Sequence, residues 1–325
     1  MLFSVCVPSY NRGHRVYELI QRLLGMSLDE TQIEIVCSNN GSDKNVEGYE
    51  ELKKIRDKRF VYHEFSTNQG FAGNVNQVIK MSHGDFCMLL SDEDWILEEN
   101  LEFYLRIMEK YPDIGVIRPR TGYAFADIED CFAGAGKQAI DAFYMRGLYV
   151  SGMIFNRHIV TDQMIDEYAE KYRENTGYIY YPHMFISTYA LLRGHFFASD
   201  VWLVSEGETE EDLQVMDKAA EIPAYDAYDN VIKQMHGFIE HIKDLELPLP
   251  MQFDMLVMVF EQHAYLIRHR REGYVAGGFD YPGIMRLMAQ KMKDELHDME
   301  LPFQKQDLEA VYQFIDSITM KANEE

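Results

Sequence analysis

The sequence predicts an α/β fold in which a mostly parallel sheet is flanked by helices and is followed by an all-helical C-terminal region. Two observations predict this class. Over residues 1–120, short apolar runs alternate with segments of helical periodicity, a pattern typical of right-handed βαβ units. Beyond residue 205, every apolar pattern has helical spacing, which predicts helices without strands.

The first strand is expected over residues 2–7 and ends at Pro8, because proline has no N–H group to donate to a neighbouring strand. Gly25 and Pro112 mark the ends of two later helices. The elements expected after the first strand are a helix over 16–24, a strand over 33–37, a helix over 49–55, a strand over 60–65, a helix over 74–81, a strand over 86–90, a helix over 97–111 and a strand over 114–117.

The pattern becomes weaker after residue 118. The stretch 121–136, rich in glycine and acidic residues, is expected to be a long loop. A strand over 148–155, helices over 158–173 and 178–192, and a strand over 196–204 are expected next. Helices are then expected over 209–221, 225–244, 251–271, 282–297 and 305–322. The change from strands to helices places a domain boundary near residue 205.

Composition and charge exclude several classes of protein. The net charge of −23 would repel the phosphates of nucleic acids and of anionic membrane surfaces. The longest apolar stretch, 255–260, is followed directly by Glu261 and is too short to span a bilayer. The four cysteines form no Cys-x-x-Cys pair, and no basic leader precedes the first strand. These features indicate a reducing, cytoplasmic location without a signal peptide.

Three acidic residues, Asp92, Glu93 and Asp94, follow Ser91 at the end of the strand expected over 86–90. In a parallel α/β sheet ligands bind at this edge, and adjacent carboxylates repel one another there unless a cation is present. Mg²⁺ and Mn²⁺ prefer carboxylate and phosphate oxygens, so Asp92 and Asp94 are candidate metal ligands. The alternative is that Asp92 or Glu93 caps the helix that begins near residue 97.

Three further polar turns follow strands or precede helices in this half of the chain. Pro8–Arg12 ends in an arginine whose guanidinium could hold a diphosphate. The turn 38–43 offers side-chain amides to a base, and the glycines of the turn 68–76 allow a ligand to approach a helix N-terminus closely. Each turn alone is also compatible with an ordinary connection between a strand and a helix.

In their order and spacing these turns resemble the nucleotide-binding half of the family 2 glycosyltransferases, which have the GT-A fold. The resemblance covers residues 1–120 well and 145–205 loosely. It rests on Pro8–Arg12, Asn39–Ser42, Asn68 with Gly70 and Asn76, Gly84-Asp85 and Asp92–Asp94.

The resemblance implies a GT-A-like catalytic domain over 1–205, with a nucleotide-sugar half over 1–120 and an acceptor half over 121–205, followed by a helical domain over 206–325. It implies that a sugar is transferred with inversion from a nucleotide-diphosphate sugar to a hydroxyl of a glycan, lipid-linked or protein-linked acceptor. Such a reaction belongs to bacterial polysaccharide or glycoprotein glycan assembly. The implied cation is Mg²⁺ or Mn²⁺, held by Asp92 and Asp94. The implied donor-binding residues are Pro8, Tyr10, Asn11, Arg12, Asn39, Asn68, Gly70, Asn76, Ser91, Asp92 and Glu93.

Two positions depart from the family pattern. Asn39 stands where the family usually has an aspartate that contacts the nucleobase. The preferred nucleobase is therefore left open. The family's general base is usually an aspartate in an acidic pair, and the corresponding stretch here, residues 180–184, contains His183 instead. An ordinary histidine pKa suits proton abstraction near neutral pH, so His183 is a candidate base, as are Asp127 and Asp130. Alternatively, His183 is a helix-start or core histidine.

Two other classes of function stay open. A sugar-nucleotide pyrophosphorylase has a related sheet and an acidic metal site, but it usually opens with a glycine-rich, basic phosphate loop, which Pro8–Arg12 is not. A non-catalytic partner or scaffold for another transferase is compatible with the atypical base segment. The helices over 206–325 have wide apolar faces that must be buried, and a homo-oligomer that uses part of this region is predicted.

Overall fold

The computed structural model of the chain describes residues 1–122, 129–207, 226–298 and 305–324. It comprises two compact units. An α/β unit contains Met1–Glu174 and Tyr181–Glu208, and a helical unit contains Asn175–Tyr180 and Thr209–Glu325. The helical unit thus takes in a short segment that precedes the boundary predicted near residue 205. The division of 1–205 into a donor half and an acceptor half stays a prediction.

Strands and helices alternate strictly over residues 3–89, as the sequence pattern predicts, and less regularly from there to residue 205. The elements in chain order are β1 (Phe3–Ser9), α1 (Gly13–Leu24), β2 (Ile33–Asn39), α2 (Glu47–Leu52), β3 (Phe60–Glu64), α3 (Gly70–Met81), β4 (Phe86–Leu89), β5 (Trp95–Ile96), α4 (Glu98–Lys110), β6 (Ile114–Thr121), β7 (Cys131–Ala133), α5 (Lys137–Phe143), β8 (Met153–Asn156), α6 (Asp162–Lys171), α7 (Thr176–Tyr180), α8 (Pro182–Leu191) and β9 (His195–Ser205). All of them except α7 belong to the α/β unit.

The strands form one sheet in the order β3-β2-β1-β4-β8-β6-β9-β5, with β7 also paired to β9. The half made of β3, β2, β1 and β4 is entirely parallel. In the other half β8 runs antiparallel to both β4 and β6, β6 and β9 are parallel, and β5 and β7 run antiparallel to β9. The predicted α/β class is therefore confirmed, with the parallel arrangement concentrated in the first four strands.

The core lies on both faces of the parallel half-sheet. Every residue of β2 is buried, as are all residues of β4, which explains why β4 appears in the sequence as a continuous apolar run and β2 as an apolar run that only Glu34 interrupts before its polar end. On one side α1 packs its apolar stripe, which includes Val16, Leu19, Ile20 and Leu23, into the main cluster of buried residues. Because β1, β2 and β4 are parallel, their carboxyl ends and the turns that follow them meet at one edge.

The structure differs from the predicted elements where the pattern is short or interrupted. The helix predicted over 178–192 is divided into α7 and α8, because Pro182 lacks the N–H group that a continuing helix needs and instead begins a new one. The loop predicted over 121–136 contains the short strand β7. The short strand β5 was not predicted either, and the helix predicted over 209–221 lies outside the described residues.

The described part of the helical unit consists of helices only. Besides α7, these are α9 (Tyr228–Asp244), α10 (Leu249–His269), α11 (Arg271–Ala276), α12 (Tyr281–Asp298) and α13 (Lys305–Glu324). Apart from the short α11, they correspond to helices predicted over 225–244, 251–271, 282–297 and 305–322. None of the helices in the described ranges has the combination of length and hydropathy needed to cross a bilayer.

Candidate functional site

A cavity of about 350 Å³ lies at the edge of the sheet where β1 and β4 end. The turns after β1, β2 and β4 form its wall together with the start of α3. The lining residues are Pro8, Ser9, Tyr10, Arg12, Asn40, Asn68, Gly70, Phe71, Asn74, Leu89, Leu90, Ser91, Asp92 and Val150. Ligands of parallel α/β sheets bind at this edge, and the volume suits a small molecule.

Most of the residues predicted to bind a donor line this cavity, namely Pro8, Tyr10, Arg12, Asn68, Gly70, Ser91 and Asp92. Asn11, Asn39, Asn76 and Glu93 are not among the lining residues. Asn39 is buried and donates a hydrogen bond to Glu64 Oε1 at 3.1 Å, and Asn76 is buried on α3. The binding roles of these four residues stay predictions.

Several lining residues were not predicted from the sequence. For two of them, Asn40 and Asn74, the position in the chain indicates that the side chain faces the cavity. Alternation along an extended chain places Asn40 on the opposite side of the backbone from Asn39. Asn74 follows Gly70 by one helical turn and so shares its face of α3. The missed residues are Ser9, Asn40, Phe71, Asn74, Leu89, Leu90 and Val150.

The Asp92 carboxylate organises the turn after β1. Its Oδ2 accepts a hydrogen bond from Ser9 Oγ at 2.7 Å, and its Oδ1 accepts one from Arg12 Nη1 at 3.0 Å. Arg12 Nη1 also donates to Glu93 Oε2 at 2.7 Å, and Arg15 Nη1 reaches the same oxygen at 3.2 Å. These charge-assisted hydrogen bonds offset the repulsion between the two carboxylates and hold Arg12 at the cavity wall.

Asn11 fastens the turn after β1 to the turn after β2. Its φ of +59° lies in the left-handed region, which asparagine adopts more readily than most residues. In this conformation Asn11 Oδ1 accepts hydrogen bonds from the backbone N–H groups of Asp43 and Lys44 at 3.0 and 3.1 Å. Its own carbonyl oxygen accepts one from Asn45 Nδ2 at 2.8 Å. Asn11 therefore shapes the site without lining it.

Asn40 joins the turn after β2 to the turn before α3. Its Nδ2 donates to Asn68 Oδ1 and to the Gly70 carbonyl oxygen, both at 3.0 Å, and its Oδ1 accepts from the Gln69 N–H group at 2.9 Å. Asn40 itself is buried, whereas its three partner residues are exposed, so these bonds lie at the boundary between the protein and water. Asn40 thus connects the two turns, and the turn before α3 is further held by a hydrogen bond from the Gly70 N–H group to Asn68 Oδ1 at 2.7 Å.

Glycine is required at two places in these turns. Gly41 has a φ of +66°, and a Cβ there would lie 2.5 Å from the Thr67 carbonyl carbon, so only glycine lets the two turns approach this closely. Gly70 has a φ of +75° and open space around an added Cβ. At Gly70 the requirement is therefore one of backbone conformation alone.

Asp94 differs from its acidic neighbours because it is fully buried. Its Oδ2 accepts a hydrogen bond from the Tyr149 hydroxyl at 2.8 Å, whereas its Oδ1 has no hydrogen-bond partner among the described residues. Burial raises the pKa of the Asp94 carboxyl to about 6, the Ser151 and Tyr149 hydroxyls oppose the rise, and the nearby Glu93 and Glu206 carboxylates add to it. A charged Asp94 is therefore costly at neutral pH unless a cation offsets it.

The residues of this region fit a divalent cation that is held partly by the protein and partly by the phosphates of a bound donor. In the parts of the chain that the structure describes, no three His, Cys, Asp or Glu side chains are grouped so that they could hold a metal ion. Cations such as Mg²⁺ are commonly held by one or two carboxylates together with substrate phosphates. Asp94 Oδ1 has unused bonding capacity, whereas both Asp92 oxygens are engaged. Asp94 therefore fits a cation better than Asp92, although it lies outside the cavity lining in this conformation.

His183, a predicted candidate for the general base, is buried in the first turn of α8 and does not line the cavity. Its Nε2 lies 3.0 Å from the Leu148 carbonyl oxygen, so Nε2 carries the proton and donates it to this bond. Phe71 and Tyr181 pack around the imidazole ring. Burial lowers the pKa of His183 to about 4. This geometry does not support the catalytic role and favours the alternative, a histidine packed at a helix start.

The buried His183 makes the stability of the α/β unit depend on pH. Because the folded-state pKa of about 4 lies below the ordinary value, the unfolded chain binds a proton first as the pH falls. The free energy of unfolding should therefore decrease by about 1.5 kcal/mol between pH 6.5 and 5 through this residue. We expect His183→Gln to reduce that slope in urea titrations, since glutamine can still donate to the Leu148 carbonyl. Parallel curves for the variant and the wild type would contradict this assignment.

The two remaining candidates for the base are not brought to the cavity. Asp130 is exposed, and its Oδ1 accepts a hydrogen bond from the Asp200 N–H group at 3.0 Å. That amide is the main cause of a lowered pKa at Asp130. Asp127 lies outside the described residues. Both assignments stay predictions.

Comparison with known proteins gives a family match and a set of partial relatives. Residues 4–130 match the family model described as Glycosyl transferase family 2. The abequosyltransferase RfbV of Salmonella typhimurium is 26% identical over 135 residues, which are 40% of this chain and 40% of RfbV. The poly(ribitol-phosphate) beta-N-acetylglucosaminyltransferase TarS of Staphylococcus aureus is 29% identical over 107 residues, 31% of this chain and 18% of TarS. The chain thus spans less than half the length of these curated relatives.

Solved structures share the fold over almost the whole chain. The crystal structure of S. aureus TarS 1–349 in complex with UDP-GlcNAc matches with a TM-score of 0.64 and 14% identity, covering 99% of this chain and 89% of that chain. The mannosyltransferase PcManGT from Pyrobaculum calidifontis, in complex with GDP-Man and Mn²⁺, matches with a TM-score of 0.50 and 13% identity, covering 99% and 85%. The predicted GT-A fold is confirmed by these matches. Over its matched segment, residues 4–130, the chain is similar to glycosyl transferase family 2.

Proposed function

We propose that this protein transfers a sugar from a nucleotide-diphosphate sugar to an acceptor hydroxyl, with inversion, in the assembly of a bacterial glycan. The observation that carries this proposal is the cavity at the carboxyl edge of the parallel half-sheet, which is lined by residues of the family motifs. The named activities of RfbV and TarS support sugar transfer, and the bound UDP-GlcNAc and GDP-Man of two structural neighbours support the donor class.

The chain's own residues would hold the donor through its diphosphate. Arg12 lines the cavity with a side chain that is 46% exposed, so its guanidinium can donate to phosphate oxygens while Asp92 holds it in place. The N-terminus of α3, a helix that begins at Gly70, faces the same cavity with backbone N–H groups that favour an anion. Tyr10 and Phe71 are partly exposed lining residues that could flank a planar base.

A cation, Mn²⁺ or Mg²⁺, would be held by Asp94, with Asp92 as the second candidate ligand. When bound, it would neutralise the charge that grows on the diphosphate as this group leaves. The mannosyltransferase neighbour was solved with Mn²⁺, which supports the choice of this ion as the first to test. The family resemblance supports inversion, in which the acceptor oxygen attacks the anomeric carbon from the face opposite the leaving diphosphate.

The cavity lining offers little that could accept the proton of the acceptor hydroxyl. Asp92 is the one carboxylate among the described lining residues, and both of its oxygens are engaged by Ser9 and Arg12. This observation favours a second candidate function, a glycosyltransferase-like partner that binds a donor without transferring it. We also propose a cytoplasmic site of action, because all four cysteines are free thiols. The homo-oligomer predicted through 206–325 stays a prediction.

A panel of donors tests the proposed function. We expect one of the UDP-, dTDP-, GDP- and CDP-sugars, in the presence of Mn²⁺, to raise the melting temperature by roughly 5 °C at a hundredfold excess over its dissociation constant. The same sugar without Mn²⁺ should give a much smaller shift. No shift with any donor and metal would contradict the proposal. Slow hydrolysis of the active donor would then distinguish a transferase from a non-catalytic partner, which hydrolyses none.

A further inference from the structure

The acidic turn 91–94 is tied to the segment 149–152, which leads into β8. The Tyr149 hydroxyl donates to Asp94 Oδ2 at 2.8 Å. The Ser91 N–H group donates to Ser151 Oγ at 3.1 Å, and the Gly152 N–H group donates to a backbone oxygen at the end of β4 at 2.8 Å. Val150 of the same segment lines the cavity. The segment and the acidic turn therefore form one hydrogen-bonded layer at the site.

A buried arginine supports this layer from β6. Arg118 is fully buried, and its Nη1 donates to the Ser151 carbonyl oxygen at 2.8 Å. Burial lowers the pKa of Arg118 to about 9, while Tyr149 and Asp94 favour its charged form. Of these two groups only Asp94 carries a charge near neutral pH, because burial raises the pKa of the Tyr149 hydroxyl. The positive charge of Arg118 offsets part of the cost of a buried Asp94 carboxylate.

The hydrogen bond from Tyr149 makes the two oxygens of Asp94 unequal. A carboxylate rotates easily about its last torsion unless a partner holds it. Here Oδ2 is held by the Tyr149 hydroxyl, and Oδ1 has no hydrogen-bond partner within the described residues. Tyr149, which follows Asp94 by 55 positions in the sequence, therefore holds one edge of the carboxylate, and the nearby Ser151 hydroxyl also stabilises its charged form.

We propose that Tyr149 is a positioning residue for the cation, which fixes the Asp94 carboxylate through Oδ2 so that Oδ1 is presented to a divalent metal ion. This inference rests on the proposed function, because it concerns the same donor site. Tyr149 contacts neither donor nor cation in this role and acts through Asp94. A consequence is that the segment 149–152, predicted to belong to the acceptor half, takes part in metal binding.

The test compares Mn²⁺ binding by the wild type and by the variant Tyr149→Phe. This substitution removes the hydroxyl oxygen and keeps the aromatic ring. MnCl₂ is titrated into the full chain at a fixed concentration of UDP, dTDP, GDP or CDP, and binding is followed by calorimetry and by melting temperature. The matched control is Tyr144→Phe, because the Tyr144 hydroxyl is also buried but has no hydrogen-bond partner in the described residues. Circular dichroism and melting without ligand check that both variants fold.

We expect the Mn²⁺ concentration for half-maximal nucleotide binding to rise about tenfold in Tyr149→Phe, the effect of losing one hydrogen bond to a charged group. Saturating Mn²⁺ should restore wild-type nucleotide affinity, and Tyr144→Phe should behave as the wild type. An unchanged Mn²⁺ titration in Tyr149→Phe would overturn the inference, as would a loss that saturating Mn²⁺ does not restore. If the wild type itself shows no Mn²⁺-dependent nucleotide binding, the proposed function fails, and the inference fails with it.

Discussion

Asp94→Asn should abolish metal-dependent donor binding and sugar transfer while leaving the fold at least as stable as the wild type at pH 7.5. Asparagine keeps the shape of the side chain but provides no negative charge for a cation. Because burial raises the pKa of Asp94 to about 6, its ionised form destabilises the folded state above that pH, and this cost disappears as the pH falls below about 4.

The stability half of this prediction follows from two opposing effects. Removing the buried charge gains about 3 kcal/mol at pH 7.5, since the pKa lies roughly 2 units above its ordinary value. The amide that replaces the carboxylate leaves an N–H group without a partner, which costs about 1–3 kcal/mol. Urea unfolding measures the predicted stability, and donor binding with and without Mn²⁺ measures the predicted loss of metal-dependent binding. Asp166→Asn, an exposed aspartate on α6, is the control. Wild-type transfer in Asp94→Asn, or a large loss of stability, would contradict the account.

Asn40→Ala should have the largest effect on the architecture of the cavity. The side chain of Asn40 joins two turns through hydrogen bonds to Asn68, Gly70 and the Gln69 N–H group. Removing it breaks these bonds in a turn whose residues are exposed, where water can replace part of them, and Asn68 Oδ1 still accepts from the Gly70 N–H group. We expect a loss of about 1–2 kcal/mol in the free energy of unfolding. Donor affinity should fall by about tenfold or more, because the turn before α3 loses a contact that helps to set its shape.

A neighbouring side chain provides the control for Asn40. Gln69 lies in the same turn, but its side chain donates only within that turn, to the carbonyl and hydroxyl oxygens of Thr67. Gln69→Ala should therefore leave both the stability and the donor affinity near wild-type values. If Asn40→Ala unfolds at the wild-type urea concentration and binds the donor normally, Asn40 does not hold the site together.

The parallel half of the fold could be predicted because its strands are buried on both faces. β4 is a continuous apolar run, β2 is mostly apolar, and the helix α1 that precedes β2 has clear periodicity. The short strands β5 and β7 contain two and three residues, too few to show a pattern, and they are stabilised by pairing with β9. Tertiary pairing of this kind cannot be inferred from local sequence.

The site was predictable in its location but less so in its individual residues. The motifs identified the four turns, yet the direction of the backbone determines that Asn40 rather than Asn39 reaches the cavity. The acidic triplet gives no sign that Asp94 is fully buried whereas Glu93 pairs with two arginines. That difference depends on Tyr149 and Arg118, which lie far from the triplet in the sequence. His183 was a candidate base by sequence, but its side chain is buried and hydrogen-bonded to a backbone carbonyl, whereas a general base must reach the acceptor hydroxyl.

The most direct test of the proposed donor and metal site is a crystal structure of the chain with Mn²⁺ and the nucleotide sugar that stabilises it most, measured near the manganese absorption edge. We expect an anomalous peak next to Asp94 Oδ1, with the donor diphosphate in the cavity between Arg12 and the N-terminus of α3. A diphosphate bound elsewhere on the protein, or manganese bound away from Asp94 while the diphosphate occupies the cavity, would contradict the proposed site.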